Sequence, residues 1–487
     1  MMPKMLVMEL SGLNPDWVEK WLEEMPNIKE MQQQGIWGHM QSTVPPGFPQ
    51  SHICAQSGRN PGVYGFWGEV NRKSFSYQDT EKATAQQKAK RVKSLYDLLP
   101  MSGKKVAIVG LPLTSPPPRI PGGYVVAPCL SEDDKAGMTW PRSLGNEVES
   151  KVGELLPELD SDKAARFENP EILNHIRAVD EQRFELVRYF MAEKQCDVVF
   201  GSVRGSEALS RIFCRFADEK YKNFEADTAH ANVLEEYYQW VDDQIGETLR
   251  VLDDDTALLV YSDYPIQRRD GIFRMNEWLI QEGYLSLHEY PSEPVPFSDL
   301  NVDWNKTRAW VSGRSGGTTI NLQGRETNGV VEKEVYEGLL DELISKIKDI
   351  PDESGGALET KVYKRYEIYS GPFADIAPDL FVFLDDCRWE VDDRVGFGAG
   401  NLYSQDSTHF ESHGTEGFYG YFALSGPAVP SEGEHQGASL IDIAPTVLDV
   451  LDLEIPEELE GISFSGKERT PEEEEALIQE RLKFLGY

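Results

Sequence analysis

The chain has 487 residues, of which 40% are hydrophobic and 10% aromatic, so it is neither a small disulfide-stabilised peptide nor a globally disordered protein. Asp and Glu total 83 against 48 Lys and Arg, which gives a formal net charge of −35. Such acidity repels nucleic-acid phosphates and anionic lipid headgroups, so we expect neither nucleic-acid nor membrane binding. The acidity fits either plain solubility or a salt-rich environment that screens the repulsion.

The cysteines and the N-terminal segment indicate a cellular compartment. The five cysteines are scattered and include no CxxC pair, a pattern that predicts reduced, buried thiols. The first apolar run is short and is interrupted by Glu9, unlike the apolar region of a signal peptide. No window approaches the ~18 apolar residues of a membrane-spanning helix. We therefore predict a soluble cytoplasmic protein. The sequence does not specify its oligomeric state.

Short apolar strands alternate with helices along most of the chain. In chain order the predicted strands are Met5–Leu10, Trp37–Thr43, Lys105–Gly110, Gly122–Ala127, Cys196–Gly201, Thr256–Ser262, strand segments within Trp310–Leu322, Asp379–Phe383 and Tyr419–Leu424. The predicted helices are Asp16–Glu24 (with Asn14 as N-cap and Pro15 at the first position), Ile28–Gln34, Ser94–Leu99, Ile172–Glu193, Val233–Leu252, Ser439–Leu451 and Glu472–Leu485. This alternation predicts an α/β fold with a mostly parallel central sheet and helices on both faces. We expect one domain over residues 1–487, with 285–370 as an inserted cap or subdomain.

The carboxyl ends of the predicted strands locate a candidate ligand site, because open α/β sheets bind ligands there. Ser11 follows the first strand, 201–211 follow the strand Cys196–Gly201, and Asp263 with Tyr264 follow the strand Thr256–Ser262. No P-loop, GxSxG, HExxH or GxGxxG motif occurs in the chain, so the common fingerprints of nucleotide, serine-hydrolase and zinc-protease sites are absent.

A series of short segments follows in collinear order along nearly the whole chain: ELSGLNPDW, MPNIKEMQQQGIWGHMQSTVPP, SGRNPGVYGFW, VAIVGLPLTSPPP, IFCRFAD, EEYYQWVDDQIG, LLVYSDY, NEWLIQEGYL, APDLFVFLDD, ALSGPAVP and ASLIDIAPTVLDVL. Together they resemble the alkaline phosphatase superfamily. Within it they are most similar to the type I phosphodiesterase/nucleotide pyrophosphatase branch and its predicted phosphohydrolase/phosphomutase group. The resemblance implies an alkaline-phosphatase-like α/β fold.

The same resemblance implies a phosphate-ester hydrolase with two metal ions, which activate a hydroxyl nucleophile and neutralise charge on the phosphoryl oxygens. The family's Asp after the first strand falls on Ser11, and its nucleophile falls on Gly47 or Phe48. Neither nucleophile position carries a hydroxyl, so the sequence departs from the family at the centre of its chemistry.

The remaining ligand positions depart as well. The family's Asp-x3-His falls on Glu207 and Arg211, its Asp-His pair on Asp263 and Tyr264, and its late His on Glu416. Asp263 alone keeps its residue type, while Glu207 and Glu416 keep oxygen donors. A guanidinium is never a metal ligand and stays cationic, so Arg211 is the most disruptive change.

Two interpretations stay open for this site. In the first, the metal centre is lost and Arg211 replaces the ions among Glu207, Asp263 and Glu416. In the second, a catalytic centre is rebuilt from neighbouring side chains that offer a hydroxyl, a thiol and imidazoles: Ser51, His52, Cys54, His409 and His413. Each candidate residue of the site also has a purely structural interpretation. His52 would be a structural residue at the start of a helix, and Tyr264 would fill the space that a metal ion occupies in the family.

The leading prediction is a divergent family member that has lost the two-metal centre. It would bind a small anionic or phosphorylated ligand, or perform a metal-independent step such as a biosynthetic reaction. One alternative is an active phosphodiesterase, phosphohydrolase or transferase with a reduced site, and another is a non-catalytic protein-interaction partner, so the enzyme class stays open. The catalytic candidates are Asp263, Tyr264, Arg211, Glu207, Ser11 and His52, and the ligand-binding candidates are Phe48, Gly47, Ser51, Glu416, His413 and His409. No cofactor is expected in the leading case; zinc or manganese on Asp263, Glu207 and Glu416 is expected in the alternative.

Overall fold

The computed structural model describes residues 4–465, except 69, 78–79, 82–88, 132–136, 160–169, 223, 225–228, 399, 406–411 and 428. The predicted helix Glu472–Leu485 and the candidate His409 lie outside the described residues. Among the described residues, no helix combines the length and the hydrophobicity that crossing a bilayer requires.

The strands follow the predicted positions closely. In chain order they are β1 Lys4–Leu10, β2 Ile36–Gln41, β3 Asn71–Arg72, β4 Thr80–Glu81, β5 Val106–Val109, β6 Tyr124–Val126, β7 Thr139–Trp140, β8 Val198–Val203, β9 Thr256–Tyr261, β10 Ile266–Arg268, β11 Gly271–Arg274, β12 Ala309–Val311, β13 Gly317–Ile320, β14 Lys361–Lys364, β15 Leu380–Phe383, β16 Trp389–Asp392, β17 Tyr403–Ser404, β18 Gly414–Glu416, β19 Tyr419–Ser425, β20 Gly433–Glu434 and β21 Ala438–Ser439.

The α-helices are α1 Pro15–Lys20, α2 Pro26–Gln34, α3 Gln50–Ser57, α4 Pro61–Tyr64, α5 Leu95–Met101, α6 Leu144–Val152, α7 Pro170–Ala192, α8 Gly205–Ala217, α9 Val233–Leu249, α10 Met275–Gln281, α11 Lys333–Lys348, α12 Arg365–Ile368 and α13 Ile443–Val450. The predicted helix start is confirmed, because the Asn14 side chain caps α1 and Pro15 occupies its first turn. The predicted helix Asp16–Glu24 is wrong in extent, since the α-helix ends at Lys20 and a separate 3₁₀ turn covers Leu22–Glu24.

The described residues form two compact units. The first lies within 1–59, 92–267 and 411–487, and the second within 60–91 and 268–410. The segment 285–370 belongs to the second unit.

A mainly parallel sheet organises the first unit, with strand order β20-β2-β19-β9-β1-β8-β5-β6-β7 and β21 also paired with β2. Strand β1 runs parallel to both β8 and β9, whereas β19 lies antiparallel between β2 and β9. The predicted α/β fold with a mostly parallel central sheet is therefore confirmed.

Helices cover both faces of this sheet. Neighbouring residues of each strand point to opposite faces, so alternate residues of β1 pack against different helices. Leu6 and Met8 of β1 join a core with residues of α1, α2, α7, α8 and α9. Met5 and Val7 join a separate core with residues of α3, α5 and α13. With both faces buried, the strand ends are where polar side chains can gather.

In the second unit, β12, β13, β15 and β14 form one sheet, and β16, β11 and β17 form another. Strands β12 and β13 make an antiparallel hairpin, and Gly313 and Gly316 in its connection have positive φ. Residues of β12, β13, β15, α10 and α11 share one hydrophobic core.

Candidate functional site

The ends of β1, β8 and β9 converge in the first unit through backbone hydrogen bonds. The Gly12 N–H donates to the Tyr264 carbonyl at 3.1 Å, and the Glu207 N–H donates to the Ser11 carbonyl at 3.0 Å. Gly12 has a φ of +81°, and a Cβ there would lie 2.4 Å from the Glu207 Cα. Only glycine permits this backbone conformation and this close approach, so the turn after β1 fixes the start of α8 beside β9.

Arg211 links two carboxylates at this edge. Its Nη2 donates to Glu207 Oε1 at 3.2 Å and also to Glu416 Oε1. The Arg211 and Glu207 side chains are 8% and 5% exposed, while Glu416 is 32% exposed. Burial opposes the charge of Arg211, but the two carboxylates raise its pKa well above its ordinary value. A permanent cation therefore sits between two of the predicted ligand residues.

Ser11, Asp263 and Tyr264 complete the buried part of the cluster. The Ser11 hydroxyl donates to Asp263 Oδ1 at 2.9 Å, and the Tyr264 hydroxyl donates to Glu207 Oε1 at 3.1 Å. Burial, followed by the charge of Glu9, raises the pKa of Asp263 well above its ordinary value. Burial and the charge of Glu207 likewise raise the pKa of Tyr264, so its hydroxyl stays protonated and can donate.

A second buried pair lies close to Asp263, where Glu9 meets His52. The His52 Nδ1 is 2.8 Å from Glu9 Oε2, and the Tyr261 hydroxyl donates to the same oxygen at 3.0 Å. Burial alone would raise the pKa of Glu9, but the charge and hydrogen bond of His52 bring it below its ordinary value. His52, in α3, is thus a buried partner of Glu9. Among the described residues, no hydrogen bond joins it to Arg211.

The loop before α3 carries the expected nucleophile position. Gly47 has a φ of +121°, and a Cβ there would lie 3.5 Å from the Glu416 Cγ, which places this loop beside the cluster. Phe48 is 40% exposed, and the Arg204 guanidinium lies 5.1 Å from the centre of its ring. The Ser51 hydroxyl accepts from the Gly47 N–H at 3.1 Å, so Ser51 shapes the loop.

Arg204 is the most solvent-accessible cation of the cluster. Its Nη2 lies 2.5 Å from Glu207 Oε2, and its side chain is 20% exposed. Burial lowers its pKa, but Glu207 and the neighbouring acidic groups raise it overall. The guanidinium carries five N–H donors, so the contact with Glu207 leaves room for a second acceptor.

His413 and Cys54 lie apart from these contacts. The His413 ring contacts Arg215 Nη1 at 3.3 Å and the Tyr221 hydroxyl at 3.2 Å. Its backbone N–H donates to the Arg211 carbonyl at 2.8 Å. The backbone of His413 therefore lies next to Arg211, although its ring contacts other residues. Cys54 is buried in α3, and burial raises its thiol pKa, as expected for a packing residue.

Sequence reasoning missed Glu9, Arg204 and Tyr261 as members of the site. Glu9 interrupts the apolar run of β1, and a buried carboxylate in a strand must find a partner; this interruption was the available signal. Arg204 directly precedes α8, only three residues before Glu207, and this spacing also pointed to the site.

Comparisons with known proteins agree with this architecture. The family described as type I phosphodiesterase/nucleotide pyrophosphatase matches residues 5–417. No curated protein is significantly similar in sequence.

Solved structures share the fold. Phosphonoacetate hydrolase from Sinorhizobium meliloti, in complex with phosphonoacetate, is 13% identical with a TM-score of 0.55, covering 92% of this chain and 96% of its own. An inactive variant of murine ectonucleotide pyrophosphatase/phosphodiesterase 5, in complex with AMP, is 11% identical with a TM-score of 0.50, and the human protein is 10% identical with the same score. Each covers 93% of this chain and 96% of its own.

At such low identity these neighbours show the shared fold alone. The family match extends over most of the chain, from β1 to the loop before β19. The chain therefore belongs to the type I phosphodiesterase/nucleotide pyrophosphatase family.

Proposed function

We propose that this protein binds a small anionic ligand, phosphorylated ligands included, at the strand-end cluster and does not carry out the family's two-metal hydrolysis. The position of Arg211 carries the proposal. Its guanidinium contacts Glu207 and Glu416, so two of the three carboxylates that could hold an ion already have a cation between them. A metal ion there would have to displace Arg211 or lie beside its positive charge.

The other donors do not fit a pair of metal ions. Zinc takes carboxylate, imidazole or thiolate ligands, but Ser11 offers a hydroxyl and Tyr264 a protonated phenol. Among the described residues, no three His, Cys, Asp or Glu side chains gather into a group suited to a metal. The residues therefore do not fit the family's metals, and no step is assigned to them.

The nucleophile position points the same way. Gly47 has no side chain, and Phe48 is apolar and exposed. The hydroxyl of Ser51 contacts the hydroxyls of Ser42 and Thr43 at 3.0 and 2.9 Å, and neither of these partners is a general base. Covalent phosphoryl transfer needs an activated hydroxyl at this loop, and these residues do not offer one.

Anion binding is supported by Arg204 and Phe48 at the solvent side. The two guanidinium groups of the cluster, Arg204 and Arg211, face the carboxylates Glu207 and Glu416, and burial raises the pKa of Asp263 well above its ordinary value, which opposes its ionisation. Arg204 can then donate to an incoming anion, since a guanidinium binds phosphate or carboxylate oxygens with paired N–H groups. The exposed Phe48 ring next to it offers an apolar surface to the rest of the ligand.

The test combines metal analysis, activity and binding on the full-length protein. We expect purified protein to contain no stoichiometric zinc or manganese, and to hydrolyse neither bis(p-nitrophenyl) phosphate nor p-nitrophenyl phosphate when either metal is added. Calorimetric titration with inorganic phosphate, pyrophosphate and AMP should reveal binding that weakens about tenfold in Arg204→Gln, a loss of about 1.4 kcal/mol. The matched control Arg215→Gln removes a charge from α8, where the side chain contacts His413 instead, and should leave binding within about twofold, a change under ~0.5 kcal/mol.

Stoichiometric metal with turnover would contradict the proposal and favour an active hydrolase. Absence of binding to all three anions would contradict it as well, and would favour the alternative of a protein-interaction partner.

A further inference from the structure

The second unit contains a cavity that the strand-end cluster does not use. Its volume is about 600 Å³, within the ~300–1,000 Å³ range of small-molecule sites. Aromatic side chains form much of its wall: Trp67, Tyr77, Phe297, Trp304 and Trp310. All of these residues belong to the second unit.

The aromatic rings hold one another in fixed orientations. Tyr77 stacks on Trp304 with ring centres 3.5 Å apart and planes 8° from parallel, and Trp304 meets Trp310 edge to face at 5.1 Å. The Tyr77 hydroxyl also donates to Asn321 Oδ1 at 2.6 Å. Rings fixed in this way present a preorganised apolar surface, which reduces the entropy lost when a ligand binds.

Polar groups of both kinds lie in the same wall. Asp393 accepts a hydrogen bond from the Gly313 N–H at 2.7 Å, and Asp392 accepts three from the Arg394 side chain at 2.8, 2.9 and 3.0 Å. Arg72 donates through Nη1 to Glu326 at 3.1 Å. Its Nη2 is buried and has no hydrogen-bond partner among the described residues.

The charges of the wall are paired within the protein. Arg72 contacts Glu326, Arg314 lies 3.6 Å from Glu390, and Arg394 contacts Asp392. Each arginine of the wall faces a carboxylate, and Asp393 adds a further carboxylate, so an anionic ligand would gain little net charge attraction. A wholly apolar ligand would cover these charged groups and leave them unsolvated. The wall therefore favours a ligand that is uncharged, rich in donors and acceptors, and partly apolar.

We propose that this cavity binds a neutral mono- or disaccharide. The C–H face of a sugar ring packs on a flat aromatic surface such as that of the half-buried Trp304, while its hydroxyls both donate and accept hydrogen bonds. Asp393 lies in the wall and can accept hydrogen bonds from sugar hydroxyls. The two proposals rest on different residues, and neither depends on the other.

Saturation-transfer NMR and calorimetry on the full-length protein test this with glucose, galactose, mannose, N-acetylglucosamine and maltose as probes, and with glucose 1-phosphate and benzoate as comparison ligands. At least one neutral sugar should bind saturably in the millimolar range or tighter, with its C–H protons receiving the strongest saturation. Two variants, Trp304→Ala and Asp393→Asn, should each weaken that binding about tenfold or more, a loss of about 1.4 kcal/mol. The control Tyr366→Ala removes an aromatic ring that is 60% exposed and does not line the cavity, and it should leave binding unchanged.

Circular dichroism checks that each variant is folded, and the NMR result on the unaltered protein stands even if Trp304→Ala is not. If no neutral sugar binds, or if only benzoate or the phosphorylated sugar binds, the proposal is overturned. Sugar binding that persists in the folded Asp393→Asn and Trp304→Ala proteins also overturns it, because the ligand would then occupy another place. Loss of anion binding in Arg204→Gln has no bearing on this result, so the two proposals can fail independently.

Discussion

The Ser11 hydroxyl donates to Asp263 Oδ1 at 2.9 Å, and both side chains are fully buried. A neutral donor thus stands where the family resemblance implies a second carboxylate. With a hydroxyl in this place, Asp263 needs no metal ion to satisfy that oxygen.

Replacing Ser11 with Asp should therefore destabilise the protein. Two buried carboxyl groups would then face each other, and we expect a loss of roughly 3–5 kcal/mol in unfolding free energy at pH 7. The loss should be smaller at pH 5, because the folded-state pKa values of these acids are raised and stability falls as pH increases through them. Urea unfolding at both pH values measures the effect, with Ser11→Ala as control. Recovery of the lost stability by added zinc or manganese would show that the site still takes a metal.

Arg211 and Glu416 should be energetically coupled. Arg211→Met leaves Glu416 without this cation and should cost up to roughly 3–5 kcal/mol, toward the lower end because Glu416 is 32% exposed. The double variant Arg211→Met/Glu416→Leu should lose less than the sum of the single losses, with a coupling of roughly 0.5–3 kcal/mol. A double-mutant cycle from urea unfolding gives this value. Strict additivity would mean that the contact does not hold the cluster together.

Gly12 should not tolerate a side chain. A Cβ at this position would lie 2.4 Å from the Glu207 Cα, and the φ of +81° adds strain, so Gly12→Ala should lose well over ~1 kcal/mol. Gly122 is the matched control, because its φ is +68° but a Cβ there meets nothing within 4 Å. Gly122→Ala isolates the backbone strain, which is about 1 kcal/mol. Equal thermal shifts in the two variants would show that the close approach to α8 is unimportant.

Asp180 should make the protein less stable as pH rises through 6. This residue is 2% exposed and accepts a hydrogen bond from the Tyr237 hydroxyl at 2.6 Å, and burial raises its pKa from 3.8 to about 6. The folded state therefore holds the proton more tightly than the unfolded state, and stability decreases with pH between these values. The full effect is about 3 kcal/mol.

The variant Asp180→Asn keeps an acceptor for Tyr237 but cannot ionise. Its unfolding free energy relative to the unaltered protein should rise by up to about 3 kcal/mol between pH 4 and pH 7. Parallel pH profiles for the two proteins would contradict a raised pKa at Asp180.

The sequence alone located most of the cluster. Strand ends in an α/β sheet meet at one edge, so the sequence is sufficient to group Ser11, Glu207 and Asp263. The pairing of Arg211 with Glu207 also follows from their spacing of four residues on α8. These inferences needed only the local structure and the order in which the family's sequence segments follow one another along the chain.

Other features depended on tertiary structure. The contact between Glu9 and His52 joins β1 to α3, and no local pattern tells which partner a buried carboxylate finds. The His413 backbone N–H bonds to the Arg211 carbonyl, yet its ring contacts Tyr221, because side-chain direction in an irregular segment depends on packing. The order of strands, with β19 between β2 and β9, was likewise not readable from hydrophobic patterns.

That late strand has a consequence for how the protein is made. Residues 419–425 pair with 36–41 on one side and with 258–261 on the other, so β2 cannot join the rest of the sheet until nearly the whole chain has left the ribosome. Pairings between residues so distant in sequence slow folding and leave strand edges open in the meantime. We expect nascent chains that end before residue 419 to expose the edges of β2 and β9 and to need protection against aggregation during synthesis.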